Sequence, residues 1–517
     1  MSKTVRELEP QIIWNYFEDL NAVPRGSKKE AQVIEFLKEF GKKHNLDTRI
    51  DEIGNIVFSV PATPGYENAP IIVLQGHMDM VHQKNNDTVF DWDKDGIQSY
   101  IDGEWVRAKG TTLGADNGIG VCTALAIITD PAVEHPAIEV LITVDEETGM
   151  TGAFALKGEM LNGRILLNLD TEDENELCIG CAGGIDTTGR LAYTEEAVPE
   201  GCVGLSITVK GLKGGHSGMD IILGRANANK VLNRLIWGPA GKVYEARVAT
   251  LAGGSLRNAI PREASATLAV PAGKIAEYKN YLDTLVADIK KEYQTTDAGL
   301  EVVIEDIATP EKVMPFAVQV NITNALSAMP NGVFRMSPDV EGLVDTSSNM
   351  ARIEAVDGKF SVSFLTRSSI DSSKMEMANG IRSTLELAGC EIDQTGGYSG
   401  WMPNPKSPVL LKMIDKYKQI YGKDPHVGAC HAGLECGVIG AKFPEGMDMV
   451  SFGPTIVFPH SPDEAVKIDT VGRFYNFLQE ILKNMLGISN QGNGWACVFT
   501  DFRRIHINMN QNFSTGN

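Results

Sequence analysis

The sequence predicts an α/β protein in which a mostly parallel mixed sheet lies between helices and a second, α+β domain is inserted. Three short runs, Ile71–Leu74, Ile138–Val144 and Ile165–Leu169, are almost entirely apolar, as is typical of central strands that helices cover on both faces. The pattern changes to alternating strands and long amphipathic helices over Thr187–Gly400, and the first pattern returns after Pro403. We therefore expect the second domain to interrupt the first.

One helix and two strands are predicted over residues 28–60. Amphipathic periodicity over Lys28–His44 predicts the helix. Ser27 and Glu30 have the spacing of a capping box at its start. The segments Asp47–Arg49 and Asn55–Val60 alternate between polar and apolar residues, which predicts two paired strands.

The remaining elements follow from the same two periodicities. Gly118–Ile128 consists almost only of apolar and small residues, which is typical of a buried helix that crosses over between two sheet strands. The later strands are predicted at Leu205–Val209, Ala264–Val270, Phe360–Leu365 and Met449–Phe452, and the later helices at Ile275–Glu292, Val409–Tyr421 and Thr470–Leu486.

These changes of pattern predict the domain limits. The main domain is expected to be discontinuous, over residues 1–186 and 402–487, and the inserted domain to span residues 187–401. Ser489–Asn517 is rich in Asn and Gly and has no amphipathic period, so a disordered tail is expected over residues 488–517.

Composition and charge exclude several classes of protein. The chain has 47 Lys and Arg against 67 Asp and Glu, a formal net charge of −20, so it should not bind nucleic acid or an anionic membrane surface. The charged start of the chain lacks the apolar core of a signal peptide, and no apolar run approaches the ~20 residues of a membrane span. We therefore expect a cytoplasmic protein. Cys178 and Cys181 are interpreted as reduced core residues rather than as half of a zinc ribbon.

Polar residues follow four of the apolar runs, at the point where each predicted strand ends. In an open α/β sheet, ligands bind beyond the carboxyl ends of the strands. Asp116 joins this group because it lies in a glycine-rich loop just before the buried helix. The polar residues after the strands are His77, Asp79, Glu146, Glu147, Asp170 and His460.

Imidazole and carboxylate groups without thiolates suit Zn²⁺ or a similar divalent ion. A single ion needs only three protein ligands, so five candidates predict two ions that share a bridging carboxylate. Glu146 and Glu147 are adjacent and cannot both point the same way in extended backbone, so one could bind metal while the other acts as a general base. Asp79 is placed to support the ring of His77. Each motif alone could be ordinary surface polarity, but their joint occurrence favours a metal site.

The chain resembles the co-catalytic zinc peptidases that include aminoacylases, carboxypeptidase G and carnosinases. The similar motifs are GHMD at 76–79, GADNG at 114–118, EE at 146–147, Asp170 and PHS at 459–461. The sequence also contains CAGGID at 181–186, KGGHSG at 213–218, RNAIP at 257–261 and HAGLECG at 431–437. With these motifs it more closely resembles, within that superfamily, the bacterial aminoacylhistidine dipeptidases, from about Leu8 to Leu486.

The resemblance implies two zinc ions, for which Co²⁺ or Mn²⁺ could substitute. Asp116 would bridge them, with His77 and Asp170 on one ion and Glu147 and His460 on the other.

Glu146 would then be the general base, and Asp79 would orient His77. The inserted domain would be a lid, from which His216, Asn258 and Arg367 bind and polarise the substrate. The alternatives are that His216 lies in an ordinary loop and Arg367 on a strand surface.

The expected activity is metal-dependent hydrolysis of a dipeptide, such as an Xaa-His dipeptide of the β-Ala-His type. An amidohydrolase that acts on N-acyl amino acids is the alternative within the same fold. A metal-dependent binding protein with a degenerate site is the alternative from another class, and the presence of every expected ligand counts against it. The expected partner is a small peptide, and a homodimer is left open.

Overall fold

The computed structural model describes residues 3–486. The predicted tail over residues 488–517 lies outside the described residues. Within them the chain builds two large sheets, of eight and nine strands. We call these the main sheet and the lid sheet.

The main sheet is mixed, and its central strands run parallel. The strands Ile138–Thr143, Ile72–His77, Ile165–Asn168 and Asp448–Ser451 are paired in parallel, and antiparallel strands extend the sheet on the first side. In spatial order the strands are Asp47–Ile50, Ile56–Val60, Ile138–Thr143, Ile72–His77, Ile165–Asn168, Asp448–Ser451, Glu176–Cys181 and His426–Cys430.

The three apolar runs form neighbouring strands at the centre of this sheet, as predicted, and every residue of these strands is buried. The helix Ala115–Thr129 packs on the strand Ile72–His77 and is buried along most of its length. The predicted α/β architecture of the main domain is confirmed.

The first predicted helix spans Ala31–Lys43 and so begins three residues later than expected. Glu30 does not cap this helix; its carboxylate instead accepts the backbone N–H groups of Lys28, at 2.9 Å, and Asp145, at 3.1 Å. The hydroxyl of Ser27 donates to Oδ2 of Asp79 at 2.8 Å. The predicted capping box is therefore wrong, because both side chains hydrogen-bond to residues of the neighbouring strand ends.

The lid sheet is antiparallel throughout. Helices Ala228–Ile236, Ile275–Glu292, Phe316–Ala328 and Asp371–Leu387 contribute buried side chains to its core. Its strands in spatial order are Glu301–Ile307, Cys202–Lys210, Ala264–Pro271, Arg247–Gly253, Val344–Val356, Lys359–Ser368, Gly183–Ala192 and Glu391–Tyr398, and Gly332–Met336 pairs beside Val344–Val356.

Smaller elements complete the described chain. The helices not yet mentioned are Gln11–Asn21, Glu146–Gly149, Thr151–Ala155, Pro239–Lys242, Pro408–Tyr421, Glu435–Gly440 and Ile468–Lys483. A four-stranded sheet contains Ile456–Val457, Ala465–Lys467, Trp105–Ala108 and Ser99–Asp102, and two-stranded ribbons pair Gly215–His216 with Ala259–Ile260 and Glu196–Ala197 with Lys312–Val313. Over residues 3–486, none of the helices is both long enough and apolar enough to span a bilayer.

The chain passes from one large sheet to the other with a single residue between strands. Glu176–Cys181 belongs to the main sheet and Gly183–Ala192 to the lid sheet. The return passes from the lid strand Glu391–Tyr398 to the helix Pro408–Tyr421, which packs against Ile468–Lys483 of the main domain. The domain limits given above remain a prediction.

Candidate metal centre and lid pocket

The candidate ligands lie at the carboxyl ends of adjacent parallel strands. His77 is the last residue of its strand, and Asp170 follows the neighbouring strand Ile165–Asn168 by two residues. Glu147 follows the third central strand, in the short helix Glu146–Gly149. Because neighbouring parallel strands end at the same edge of the sheet, these side chains meet there.

Asp116 lies at the centre of the cluster. Its Oδ1 is 3.1 Å from Nε2 of His77, and its Oδ2 is 3.2 Å from Nε2 of His460. Each carboxylate oxygen therefore faces a different imidazole, which is the arrangement that a bridging ligand requires.

Two further carboxylates complete the two halves of the cluster. Oδ1 of Asp170 is 3.3 Å from Nε2 of His77, and Oε2 of Glu147 is 2.9 Å from Nε2 of His460. Ligand atoms within 4.8 Å of one another occur in the group His77, Asp116 and Asp170 and in the group Asp116, Glu147 and His460. The structure thus brings all five predicted ligands together.

The donor set fits divalent metal ions. Oδ1 of Asp170 and Oε1 of Glu147 are buried and accept no hydrogen bond from the described residues. A buried carboxylate oxygen without a donor is costly unless a cation lies beside it. Two imidazoles and three carboxylates are the hard and borderline ligands that Zn²⁺ and similar ions accept.

The pKa shifts within the cluster also favour bound cations. Burial raises the pKa of Asp170 to about 7 and also raises the pKa of Glu146. Hydrogen bonds to Asp116 and Glu147 raise the pKa of His460 to about 11. Because carboxylates outnumber the imidazoles that face them, bound cations would offset the repulsion between these groups.

Asp79 connects the His77 strand end to the Glu146–Glu147 turn. Nδ1 of His77 is hydrogen-bonded to the backbone carbonyl oxygen of Asp79, at 3.2 Å, and lies 3.3 Å from Oδ1 of the same residue. This Oδ1 also accepts the backbone N–H of Glu146 at 3.1 Å. Its Oδ2 accepts the backbone N–H of Glu147 at 3.3 Å. Asp79, which is fully buried, therefore orients the ring of His77 through its carbonyl and carboxylate oxygens, and its carboxylate fixes the turn that carries the two glutamates.

Sequence reasoning missed Glu464, which holds the loop that carries Asp116. The carboxylate of Glu464 is buried and accepts four backbone N–H groups, from Leu113, Gly114, Ala115 and Asp116, at 2.7 to 3.3 Å. No local pattern marks this residue, because its partners are about 350 residues away in the chain.

Two more buried charged residues near the centre were also missed. The Arg25 guanidinium donates to the carbonyl of Gly114 at 2.6 Å and is fully buried. Glu435 lies within the HAGLECG motif, but no role was predicted for it. Its Oε2 accepts from Gln75 at 2.6 Å and from Thr143 at 2.7 Å, and burial raises its pKa to about 8.

His216 lies in a two-stranded ribbon, not in an irregular loop. Gly215–His216 pairs with Ala259–Ile260, and the N–H of Ser217 donates to the carbonyl of Asn258 at 2.8 Å. Nδ1 of His216 accepts the backbone N–H groups that follow it, at 3.2 and 3.1 Å. The ring proton of the neutral imidazole is therefore on Nε2, which can donate. The side chain of Asn258 is exposed beside it.

Arg367 is a buried lid residue, only 5% exposed. Its Nη1 donates to the hydroxyl of Tyr398 at 3.0 Å, and its Nε has no partner among the residues that the structure describes. Among residues 3–486, no carboxylate lies within 4.0 Å of its guanidinium. His431 is nearby, and burial together with the charge of Arg367 lowers the pKa of His431 to about 3. A buried guanidinium with a neutral neighbourhood is a site for an anionic group.

This fold and site define a metal-dependent hydrolase. The chain belongs to peptidase family M20/M25/M40, whose family model matches residues 73–484.

Two similar proteins span nearly the whole chain. The chain is 44% identical over 479 residues to the cytosol non-specific dipeptidase of Escherichia coli, and the alignment covers 93% of this chain and 98% of that protein. The crystal structure of the aminoacylhistidine dipeptidase from Vibrio alginolyticus is 45% identical, with a TM-score of 0.89 and coverage of 93% and 98%. The predicted resemblance is confirmed.

A more distant structure shares the fold alone. An aminopeptidase from Bacillus cereus superimposes with a TM-score of 0.53 at 15% identity, over 92% of this chain and 99% of that one. The fold therefore persists where few residues are shared.

Proposed function

We propose that this protein is a dipeptidase that uses two zinc ions, each held by one half of the ligand cluster. His77 and Asp170 bind one ion, Glu147 and His460 bind the other, and Asp116 bridges them. The observation that carries this proposal is the carboxylate of Asp116, whose two oxygens lie 3.1 and 3.2 Å from the Nε2 atoms of two different histidines. Co²⁺ or Mn²⁺ could replace zinc in such a donor set.

Ions bound there would polarise the scissile carbonyl and lower the pKa of the attacking water. Glu146 is the general base in this proposal. It accepts a proton from the attacking water at its carboxylate and donates that proton to the leaving amine. Support for this role is its place beside the ligands, since its carboxylate oxygen lies within 4.8 Å of ligand atoms of His77 and Glu147.

Asp79 is the orienting residue for His77. Its backbone carbonyl oxygen is 3.2 Å and its carboxylate 3.3 Å from Nδ1, so these oxygens hold the tautomer in which Nε2 is free to bind metal. The same carboxylate accepts the N–H of Glu146, which restrains the proposed base.

The lid residues bind the substrate in this proposal. His216 donates from Nε2 to the oxyanion that develops on the scissile carbonyl, because its Nδ1 is already an acceptor. Asn258 lies beside it on the paired strand end and contributes a further donor. Arg367 binds the free carboxylate of the dipeptide through charge-assisted hydrogen bonds, for which its buried guanidinium is suited, since no carboxylate of residues 3–486 lies beside it.

The substrate class is a dipeptide with a free C-terminus. The two relatives carry different names: one is called a non-specific dipeptidase and the other an aminoacylhistidine dipeptidase. We propose that Xaa-His dipeptides, including β-Ala-His, are among the substrates, and that the protein works in the cytoplasm, as the name of the Escherichia coli relative states for that protein.

A substrate panel tests the activity. Xaa-His, Xaa-Leu, a tripeptide and an N-acetyl amino acid should be offered to the enzyme after chelation and again after zinc is restored. We expect turnover of the dipeptides only with zinc, and little turnover of the tripeptide. Preferred hydrolysis of the N-acetyl amino acid would instead support the amidohydrolase alternative.

Metal analysis tests the centre independently of activity. The reconstituted protein should contain two zinc ions per chain, and Asp116→Asn should contain fewer, because a bridging carboxylate serves both positions. Binding to the folded state should also raise the thermal midpoint of the stripped protein. One ion per chain in both proteins would contradict the proposed bridge.

A further inference from the structure

Four adjacent strands of the lid sheet place a row of residues beside the buried guanidinium of Arg367. In the register of the sheet, Arg367 is opposite Ser347 on one side and Gly184 on the other, and Gly184 is opposite Tyr398. Directly opposed residues of neighbouring strands project from the same face of a sheet. Arg367 and Tyr398 therefore stand on one face, separated by a residue that has no side chain.

Gly184 leaves the space that the ring of Tyr398 occupies. A Cβ at Gly184 would lie 2.6 Å from Cε1 of Tyr398 and 2.8 Å from its Cζ and hydroxyl oxygen. Any other residue at this position would displace the ring. On the far side, a Cβ at Gly433 would lie 3.1 Å from Cε2 of the same ring. The ring is thus confined between two glycines.

This confinement brings the hydroxyl of Tyr398 to the guanidinium. Nη1 of Arg367 donates to the phenolic oxygen at 3.0 Å, the one side-chain hydrogen bond that Arg367 makes within residues 3–486. A guanidinium binds a carboxylate well only when its planar fork is correctly oriented. Because no carboxylate in the described part of the chain lies beside Arg367, the phenol is the group that sets this orientation.

We infer that Tyr398 is a positioning residue for Arg367 and that it determines how strongly the enzyme selects substrates with a free carboxylate. The inference rests on the proposed function, in which Arg367 binds the C-terminus of the dipeptide. Gly184 contributes to the same positioning, because its lack of a side chain leaves space for the ring of Tyr398. Tyr398 affects substrate binding only through its hydrogen bond to Arg367.

The experiment compares a dipeptide with its C-terminal amide, using zinc-loaded enzyme and Tyr398→Phe. The phenylalanine keeps the ring between the glycines and removes only the hydroxyl. We expect KM for the free acid to rise about tenfold, the effect of one hydrogen bond to a charged group, while kcat changes less than twofold. KM for the amide should stay unchanged, so the preference for the acid falls by the same factor.

Two controls separate this effect from general damage to the lid. Tyr278→Phe removes another buried phenol of the lid, whose hydroxyl donates to the carbonyl of Leu235 at 2.8 Å, and it should leave the acid-to-amide ratio unchanged. Gly184→Ala should lower that ratio as Tyr398→Phe does, because its Cβ displaces the ring. The inhibition constants of the product amino acid and its amide provide the same comparison without turnover.

The outcomes distinguish the two proposals. If the wild-type enzyme does not prefer the free acid over the amide, the role proposed for Arg367 is wrong. If the wild type does prefer the acid and Tyr398→Phe keeps the full preference, the inference about Tyr398 is overturned and the role of Arg367 stands. An equal loss of preference in Tyr278→Phe would also overturn it.

Discussion

The carboxylate of Glu464 accepts the backbone N–H of Ala115 at 2.7 Å, and with its second oxygen it also holds the residues just before that position. The loop thus fixed leads directly into Asp116, whose two oxygens face the two histidines of the cluster. A residue that touches no candidate ligand side chain therefore sets the position of the proposed bridge.

Glu464→Gln should weaken metal binding without unfolding the protein. The amide replaces one acceptor oxygen by an N–H₂ group, which would face backbone N–H donors. We expect the affinity for zinc to fall about tenfold, as is usual when a residue behind a metal ligand is changed. Competition with a chelator of known affinity measures this. Glu445→Gln, which alters an exposed carboxylate paired with Arg164, is the matched control. Equal affinities for zinc in the two variants would refute the role proposed for Glu464.

The two neighbouring glutamates should respond differently to the same change. Glu146→Gln is expected to keep both zinc ions and substrate affinity but to lose at least about 10²-fold in kcat, because it can no longer accept a proton. Glu147→Gln should lose part of its metal, and added zinc should partly restore its activity. Measuring both the metal content and kcat of each variant shows which glutamate is the base and which is the metal ligand. A zinc-depleted Glu146 variant next to a fully metallated, inactive Glu147 variant would reverse the two roles.

His216→Ala should lower kcat by about 10² to 10³, the usual loss for one oxyanion donor, while its zinc content stays normal. The structural reason is the tautomer, since the acceptor contacts at Nδ1 leave Nε2 as the donor. His44→Ala is a suitable control, because His44 stacks on Phe40 at the end of a helix and should not affect kcat. A loss of bound metal rather than of kcat would assign His216 to the metal centre instead of to substrate binding by the lid.

His431 should make the stability of the protein depend on pH. Burial and the neighbouring Arg367 lower its pKa to about 3 in the folded protein, whereas its usual value is about 6.5. Below pH 6.5 the unfolded chain therefore binds a proton that the folded chain does not, and the free energy of unfolding falls until about pH 3. The slope is at most about 1.4 kcal/mol per pH unit.

The test replaces His431 by glutamine, which keeps a polar group near the hydroxyl of Ser347 but does not titrate. Urea unfolding at pH 7 and pH 5, at the same zinc concentration, should show a smaller loss of stability in the variant than in the wild type. Equal losses of stability in the variant and the wild type would mean that His431 is protonated in the folded protein.

The sequence predicts those features that depend on local periodicity. The helix Ile275–Glu292 has the predicted limits, because one face of it packs on the lid sheet and its charges face solvent. The five candidate ligands are predicted for a similar reason. Each follows a recognisable apolar run or lies in a glycine-rich loop, and strand ends in an α/β sheet share one edge.

Features that depend on distant partners were not predicted. Ser27 and Glu30 have the spacing of a capping box, but their side chains bond to Asp79 and Asp145, which only the folded sheet brings near. Tyr398 looks like an ordinary strand tyrosine until its register beside Gly184 is known. In each case the local pattern was outweighed by a tertiary hydrogen bond that no sequence window contains.

The order of the ligands along the chain affects how the centre can assemble during synthesis. His77, Asp116 and Asp170 all precede the lid, so the three donors of one group leave the ribosome before the lid is made. The other group needs His460, which is synthesised only after the lid and after the strand Asp448–Ser451 that pairs with Ile165–Asn168. Because domains fold as the chain emerges, a nascent chain offers the two groups at different times. All three residues of the first group lie in the N-terminal segment, but the loop that carries Asp116 is fixed only after Glu464 has been made. The second group also requires His460 from the C-terminal segment.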